Sequence, residues 1–556
     1  MSGPANMMRH YRLLFCLLPA FSAVGDGAKP MIRAVDYMDL PTAIESLQPL
    51  EEAEVSLALD EYEPLALVIH AKRELNSAAL QVSGLPAGVS VKLYRLTEHT
   101  RVAVEGKERV VREPYFMEER AVIDQARGAK SAYYLVFRAQ VDAHPGKYRP
   151  RLMLAGASLR VRLTVHPFRL RELGPFFYGA FCGRTDLSIT RRHLADLHEL
   201  GFDALQFFWG SLSVGLSNQA GKLGIDFSLT DRWMEDVKAA GMRGPIVWSL
   251  GNDSSSHLET LLAELFHLPM APPAPNKCDK PKHFADIHNV KLNQLLKELL
   301  LAIRAHGREK QWPEIVILIY DEPTECLMAE HEDRYKFIKS FWPEVRIYGV
   351  TMNRIAWAEA IAHMVDIFVS NGDYARIREL ADRSGKPFWM YSVISSRPAY
   401  DVRHTQAWLP WKFGAGGSWF WAYNYYAGNP YDDSDGYAET TASVVWPARE
   451  EGGPLVYSVT WAGMREAVDD MRYLRTLEWM LAQSTSQRAG RIRGDLAAMR
   501  ESIPKTQVLK PADGDENDKV EATISPKYVK DFRRRVAGWI NEMFAAEPAL
   551  RSYAKP

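Results

Sequence analysis

The chain has 556 residues, of which 47% are hydrophobic and 25% charged, a composition typical of a globular protein with more than one domain. Its 68 Lys and Arg residues nearly balance its 69 Asp and Glu residues, so the formal charge is −1 and the pI is near 7.0. This balance argues against a nucleic acid or an anionic membrane surface as the partner.

Residues 1–27 are predicted to be a secretory signal peptide. Arg9 and Arg12 give a positive start, and residues 13–24 form a short apolar stretch that is followed by small residues. The stretch is shorter than the ~20 apolar residues that a membrane span needs. We therefore expect a secreted or periplasmic protein without a membrane span.

Residues 30–170 are predicted to form an all-β sandwich. Residues 159–165 alternate strictly between apolar and polar side chains, which indicates a strand with one buried face. Residues 133–141 and 65–70 are two further strands, and Pro- and Gly-containing turns separate such stretches. Short strands with this spacing are typical of a sandwich.

Residues 175–483 change to an alternation of strands and helices. Eight predicted strands cover residues 176–181, 202–208, 245–250, 315–320, 345–350, 367–370, 387–393 and 417–423. Eight such repeats match a (β/α)₈ TIM barrel in number and size. Residues 484–556 are predicted to be a C-terminal helical extension, whose last helix carries an apolar stripe that docks on the barrel.

Two adjacent carboxylates, Asp321 and Glu322, end the fourth predicted barrel strand. The preceding run, 315–320, is apolar throughout, as in a strand buried on both faces, and catalytic groups collect at the carboxyl ends of such strands. Pro323 keeps Glu322 extended, so Glu322 does not begin the next helix. Repulsion between two acids at one substrate raises one pKa, which suits Glu322 as general acid while Asp321 stays ionised.

Sugar hydrolysis is the first chemistry that this acid pair predicts. The competing interpretation is that the two acids cap a helix or lie in a solvated loop, which is common for acid pairs before proline. The position of the pair after a doubly buried strand favours catalysis.

Aromatic side chains are expected to line the same end of the barrel. Trp419, Trp421 and Tyr423 share one face of the eighth strand, and on the lumen side they would form a flat wall under a pyranose ring. Asn424 follows them and is available for a sugar hydroxyl or amide. The remaining candidate substrate-binding residues are Trp209 after strand two, Asn371 after strand six and Tyr391 in strand seven.

No cofactor or metal is predicted. Cys278, His283 and His288 are possible ligands, but their spacing fits no standard zinc site and they lie in a predicted loop. The sequence also contains no Walker loop and no dinucleotide-binding glycine fingerprint.

The layout resembles glycoside hydrolase family 123, β-N-acetylgalactosaminidases in which a β-sandwich precedes a (β/α)₈ barrel. Three passages carry the resemblance: Tyr-Asp-Glu-Pro at 320–323, Gly-Ser-Trp-Phe-Trp-Ala-Tyr at 417–423, and the run 457–474. The last is similar to a run in a domain of unknown function that closes many such barrels. It departs where Trp461 and Ala467 replace more usual residues, a change that hardly touches the chemistry.

The resemblance implies substrate-assisted catalysis, in which the 2-acetamido oxygen of the sugar attacks the anomeric carbon. Glu322 would protonate the glycosidic oxygen and then deprotonate water. Asp321 would orient the acetamido nitrogen and stabilise the oxazolinium-like charge. We therefore expect a retaining exo-β-N-acetylgalactosaminidase with a glycan as its substrate.

Two other functions stay open at this point. A glycosidase acting on a sugar without an acetamido group would need a separate nucleophile or base, such as Asp373. A non-catalytic surface protein could keep the barrel only to bind glycans.

Overall fold

The computed structural model describes residues 29–41, 43–104, 107–182, 191–207, 214–251, 257–269, 288–321, 328–350, 355–394, 397–426, 429–431, 443–450, 453–504 and 524–550. The predicted signal peptide lies outside these ranges. None of the helices within them has the length and apolar character needed to cross a bilayer.

The amino-terminal domain is the predicted β-sandwich. Its strands are β1 (Met31–Val35), β2 (Ala53–Leu59), β3 (Tyr62–His70), β4 (Leu75–Ala78), β5 (Gln81–Ser83), β6 (Val89–Val104), β7 (Lys107–Glu119), β8 (Ile123–Gln125), β9 (Lys130–Ala139), β10 (Gly146–Tyr148), β11 (Arg151–Leu154) and β12 (Ala157–Arg169). One sheet contains the order β1-β3-β9-β6-β7, and the other has the order β10-β12-β11-β5 with β2 beside β12. Fully buried residues from both sheets, including Leu67, Phe137 and Leu163, pack between them.

The second domain is a closed barrel of eight parallel strands. Its region contains β13 (Phe177–Cys182), α1 (Arg191–Glu199), β14 (Phe202–Phe207), β15 (Gly215–Gln219), β16 (Lys222–Asp226), α2 (Ser228–Ala239), β17 (Ile246–Ser249), α3 (His257–Leu265), α4 (Val290–Glu309), β18 (Ile315–Leu318), α5 (Met328–Phe341), β19 (Arg346–Val350), α6 (Ile355–Ile361), β20 (Ile367–Ser370), α7 (Tyr374–Ser384), β21 (Phe388–Val393), α8 (Ala399–Arg403), α9 (Leu409–Phe413) and β22 (Gly417–Trp421). The barrel order is β13-β14-β17-β18-β19-β20-β21-β22. All eight predicted strands are present, and the antiparallel hairpin β15–β16 is an addition that the sequence did not predict.

The barrel lumen is a packed core rather than a pore. Val316, Leu318, Tyr348 and Trp419 are among the fully buried side chains that fill it from alternating strand positions. Gly179 makes room for the indole, since a Cβ atom at this position would lie only 2.2 Å from Cε3 of Trp419. The shape of the lumen therefore depends on a glycine of one strand facing a tryptophan of its neighbour.

The chain after the barrel returns to the sandwich before it ends in helices. The elements are β23 (Val445–Trp446), β24 (Val456–Ser458), α10 (Val459–Ala482), α11 (Gln487–Ser502) and α12 (Pro526–Ala546). Strand β24 pairs antiparallel with β7, so β23 and β24 complete a seven-stranded sheet of the sandwich. The apolar stripe of α12 docks as predicted, with the Phe532 ring 5.1 Å from the Trp408 ring.

A buried ionic network joins the sandwich, the barrel and α12. From α12, Arg533 donates through Nε to Asp470 Oδ1 at 2.6 Å, and through Nη1 to Glu466 Oε2 at 2.6 Å and Glu63 Oε2 at 2.8 Å. Arg403 of α8 donates to both oxygens of Asp470, each at 2.7 Å. The buried acids of α10 therefore hold the domains together.

Candidate active site

Four of the predicted site residues lie at the carboxyl ends of the barrel strands. Asp321 follows β18, Asn371 follows β20, Tyr391 lies in β21, and Trp421 ends β22. All four are half-buried. Because the carboxyl ends of parallel barrel strands form one face, these side chains belong to one mouth.

Asp321 lies on the lumen side of its strand. Tyr348 projects into the lumen, and burial raises the pKa of its hydroxyl, with the charge of Asp321 raising it further. The residue before Asp321, Tyr320, packs on the outer side with Ile317 and Ile319. The electrostatic effect of Asp321 on Tyr348 therefore indicates that Asp321 lies towards the lumen, whereas Tyr320 packs outside the barrel.

A buried ion pair supports the outer side of this strand end. Arg334 of α5 lies 2.5 Å from Glu259 of α3 through Nε and Oε1, and both side chains are only 2% exposed. The same guanidinium donates through Nη1 to Asn293 Oδ1 at 2.5 Å. Both charges act on the buried Tyr320 hydroxyl, whose pKa is raised chiefly by burial. This buried ion pair therefore lies behind the strand end that precedes Asp321.

An aromatic cluster stands at the mouth. The Phe181 ring of β13 is 5.4 Å from Tyr391 and 5.6 Å from Trp421, and Tyr425 is 4.9 Å from Trp421. Phe181 is buried, whereas the other three rings keep part of their surface exposed. The cluster supplies an apolar wall beside polar groups, which is the usual make-up of a small-molecule site.

Trp419 is not part of that wall. It is fully buried in the lumen, with its ring 5.8 Å from Phe177, 6.0 Å from Tyr348 and 5.9 Å from Trp389. Its role is therefore to fill the barrel core.

Tyr423 lies on the outer side of the barrel. It is fully buried, its hydroxyl is 2.9 Å from His193 Nδ1 of α1, and its ring is 5.6 Å from Trp461 of α10. The prediction that Tyr423 shares a lumen face with Trp419 and Trp421 is wrong. Strand β22 ends at Trp421, so the alternation of side chains does not continue to Tyr423.

Three other predicted residues have different outcomes. Asn424 is buried immediately after Tyr423. Trp209 and Glu322 lie outside the described residues, so their assignment rests on the sequence.

The alternative nucleophile Asp373 precedes α7 and forms an ion pair with Arg376 at 3.2 Å. Cys278 and His283 lie outside the described residues. Within the ranges that the structure covers, no group of three His, Cys, Asp or Glu side chains could hold a metal ion.

Gln206 is a candidate ligand-binding residue that sequence analysis missed. In β14, Ala204 faces the lumen, and Gln206 follows on the same side two residues later. Gln206 is fully buried, and its amide oxygen and nitrogen have no hydrogen-bond partner among the described residues. The Oδ1 atom of Asn371 is also buried and has no hydrogen-bond partner among the described residues. Buried polar atoms without partners are costly, so both side chains are suited to bind a polar ligand or water.

The different positions of Trp419 and Trp421 lead to a testable difference in stability. Trp419→Ala should lower the free energy of unfolding by about 3–5 kcal/mol, because it empties the centre of the barrel. Trp421→Ala should cost only about 1 kcal/mol, since its half-exposed ring leaves no enclosed cavity. Urea unfolding of both variants measures the difference, and equal losses would contradict the assigned positions.

Comparison with known proteins agrees with this architecture. The family model for the catalytic domain of glycoside hydrolase 123 matches residues 209–477. A family 123 glycoside hydrolase from Clostridium perfringens, whose structure concerns glycolipid glycan hydrolysis, has a TM-score of 0.67 and 10% identity, with 95% of this chain and 99% of that chain covered. At this identity the likeness shows the fold alone.

Other solved structures are less similar. A family 5 mannosidase from Rhizomucor miehei has a TM-score of 0.33 and 15% identity over 58% of this chain and 97% of that one. A family 2 glycosyl hydrolase from Bacteroides cellulosilyticus has a TM-score of 0.28 and 14% identity over 72% and 51%. Scores this low carry no argument. No curated protein sequence matches the chain.

The family match includes both the strand end that carries Asp321 and the aromatic strand β22. It agrees with the eight-stranded barrel behind a β-sandwich. Over residues 209–477 the chain therefore matches the catalytic domain of glycoside hydrolase family 123.

Proposed function

We propose that this glycoside hydrolase is a retaining exo-β-N-acetylgalactosaminidase that uses the sugar's 2-acetamido group as its nucleophile. The observation that carries the proposal is the position of Asp321, on the lumen side at the end of β18 and next to Glu322 in the chain. Of two adjacent acids, one can protonate the leaving group while the other binds a substituent of the sugar ring. The predicted signal peptide supports an activity outside the cytoplasm.

The first step forms a bond between the acetamido oxygen and the anomeric carbon while the glycosidic bond breaks. Glu322 gives its proton to the departing glycosidic oxygen. Asp321 accepts a hydrogen bond from the acetamido N–H and stabilises the positive charge that develops on the oxazolinium ring. The half-buried setting of Asp321 strengthens that interaction relative to water.

In the second step water attacks the anomeric carbon from the face that the leaving group vacated. Glu322, now ionised, takes the proton from this water, and the acetamido group is released unchanged. Two displacements at one carbon restore the β configuration. The enzyme thus needs no nucleophile of its own.

The mouth offers groups for the sugar ring itself. Trp421 and Tyr391 present exposed ring surface to the apolar face of a pyranose. Asn371 Oδ1, which has no partner among the described residues, can accept a hydrogen bond from a sugar hydroxyl. These contacts orient the sugar so that its acetamido group reaches Asp321.

A panel of nitrophenyl glycosides tests the proposal. We expect hydrolysis of the β-N-acetylgalactosaminide, slower hydrolysis of the β-N-acetylglucosaminide and none of the β-galactoside, because the last lacks the acetamido nucleophile. NMR of the first-formed product should show the β anomer. Turnover of the galactoside alone, or an α product, would rule out assisted catalysis. Saturable glycan binding with no hydrolysis across the panel would instead favour a non-catalytic glycan-binding protein.

A further inference from the structure

A second cavity lies between the sandwich and the outer helices of the barrel. Its volume is about 400 Å³, within the range of small-molecule sites. Strands β3, β6 and β9 form one wall, and helices α1 and α10 form the other. We call it the seam cavity.

Arg465 of α10 lines the seam cavity with an unsatisfied guanidinium. The side chain is only 15% exposed, and its Nε and Nη2 atoms are buried with no hydrogen-bond acceptor among the described residues. Its ion-pair partner, Glu466, places Oε1 3.7 Å away, beyond hydrogen-bond distance, and the other oxygen, Oε2, accepts a hydrogen bond from Arg533. Buried guanidinium N–H groups without acceptors lower the stability of the folded protein. An oxyanion bound in the cavity would supply the acceptors that Nε and Nη2 of Arg465 lack.

The carboxylates of the cavity wall are already occupied. Tyr457 donates its hydroxyl to Asp196, and Tyr62 donates to Glu199 at 2.7 Å. Burial also raises the pKa of Asp196. Neither acid forms an ion pair with Arg465, so an anion in the cavity would not have to displace one of them from this guanidinium.

Two further cations lie on the sandwich side of the seam cavity. The guanidinium carbon of Arg138 is 4.8 Å from the centre of the Tyr62 ring, and that of Arg465 is 5.2 Å from the same ring. Lys92 lines the cavity as well and pairs with Glu119 only at 3.4 Å near the surface. The cavity lining thus contains three cations, Arg465, Arg138 and Lys92, and two carboxylates that already accept hydrogen bonds.

Aromatic rings form much of the remaining lining, contributed by Tyr62, Tyr94, Tyr457 and Trp461. Aromatic surface beside a planar cation suits a ligand that combines a ring with apolar C–H faces and a carboxylate. We propose that the seam cavity is a second, non-catalytic binding site for an acidic sugar, whose carboxylate pairs with Arg465.

Calorimetric titration of the full chain tests the site with D-glucuronate and D-galacturonate as probes. D-glucose and D-galactose serve as neutral controls, and sodium acetate and sodium sulfate as simple anions. The uronates should bind, the neutral sugars should not, and Arg465→Gln should weaken uronate binding roughly tenfold or more, since a charge-assisted bidentate contact is lost. Glu322→Gln should bind uronates as the wild type does, because the barrel mouth is a separate site.

Several outcomes would overturn this proposal. They are the absence of uronate binding, equal binding by the wild type and Arg465→Gln, and acetate or sulfate binding as tightly as the uronates. If Arg465→Gln fails to fold, Arg138→Gln replaces it, because Arg138 is exposed on the sandwich surface. A severalfold loss of uronate affinity in that variant supports the site, and an unchanged affinity rejects it.

Discussion

Glu322→Gln should lower kcat/KM by about 10²–10⁴ on substrates with poor leaving groups, because the amide cannot protonate the glycosidic oxygen. For a 2,4-dinitrophenyl glycoside the loss should be much smaller, since this leaving group departs without a proton. The ratio kcat/KM reports the steps up to glycosidic cleavage, so it isolates the acid role of Glu322 from its later role as base.

Asp321→Asn is the informative partner variant. Its carboxylate acts on the acetamido group and not on the leaving group, so the loss should be similar for good and poor leaving groups. We expect a large effect because Asp321 is half-buried, where its charge interacts more strongly with the developing positive charge than it would in water.

Glu332→Gln provides a matched control for both variants. Glu332 lies on α5, pairs with Lys336 on the helix surface, and should show wild-type kinetics. If Glu322→Gln keeps full activity on poor leaving groups, or if both acid variants show the same leaving-group dependence, the roles given to the two acids are wrong.

Arg533→Met should lower the free energy of unfolding by about 3–5 kcal/mol, because buried Glu466 and Glu63 lose their hydrogen-bonded cation and Asp470 keeps only Arg403. Asp470 and Glu466 are fully buried and each lies 2.6 Å from the guanidinium, and Glu63 lies 2.8 Å from it. Loss of these contacts also releases α12 from the sandwich and the barrel together. Guanidinium chloride unfolding with circular dichroism measures the change.

The loss should depend on pH. Burial raises the pKa of Glu61 to about 8 and raises that of Glu63, and Arg533 lowers both. An acid whose pKa is raised in the folded state costs stability as pH increases above its unfolded value of about 4.5. Without Arg533 this cost grows, so Arg533→Met should be less destabilised at pH 5 than at pH 8.

Arg534→Met is the matched control on the same helix turn. Arg534 is 65% exposed and pairs with Asp531 at 3.2 Å, so its loss should change stability by at most about 0.5 kcal/mol. Equal effects of the two substitutions, or a greater loss at pH 5, would contradict the role given to the network.

The barrel could be predicted from the sequence because parallel strands buried on both faces leave a local signal. The runs that became β18 and β19 are apolar at nearly every position, and each is followed by a helix. Counting eight such units was enough to predict the closed barrel and to place Asp321 at its mouth. Only the ends of the strands differed, by a few residues.

The features that the sequence did not reveal depend on contacts between distant residues. Strand alternation predicts Tyr423 in the lumen only if the strand continues past Trp421, and β22 ends there. The unpaired state of the Gln206 amide could not be predicted, because it depends on neighbours that are distant in the sequence. The acids of α10 likewise have their main partner far away in the sequence, because Arg533 lies some 60 residues later in the chain.

Strand β24 has a consequence for any attempt to separate the two domains. A fragment ending near residue 170 would lack the partner of β7 and would expose the backbone edge at Phe116 and Met117, together with their buried side chains. An exposed apolar strand edge of this kind pairs with strands of other chains and promotes aggregation. The sandwich is thus not a detachable module, and domain exchange between relatives would have to carry the 445–458 segment along with the first 170 residues.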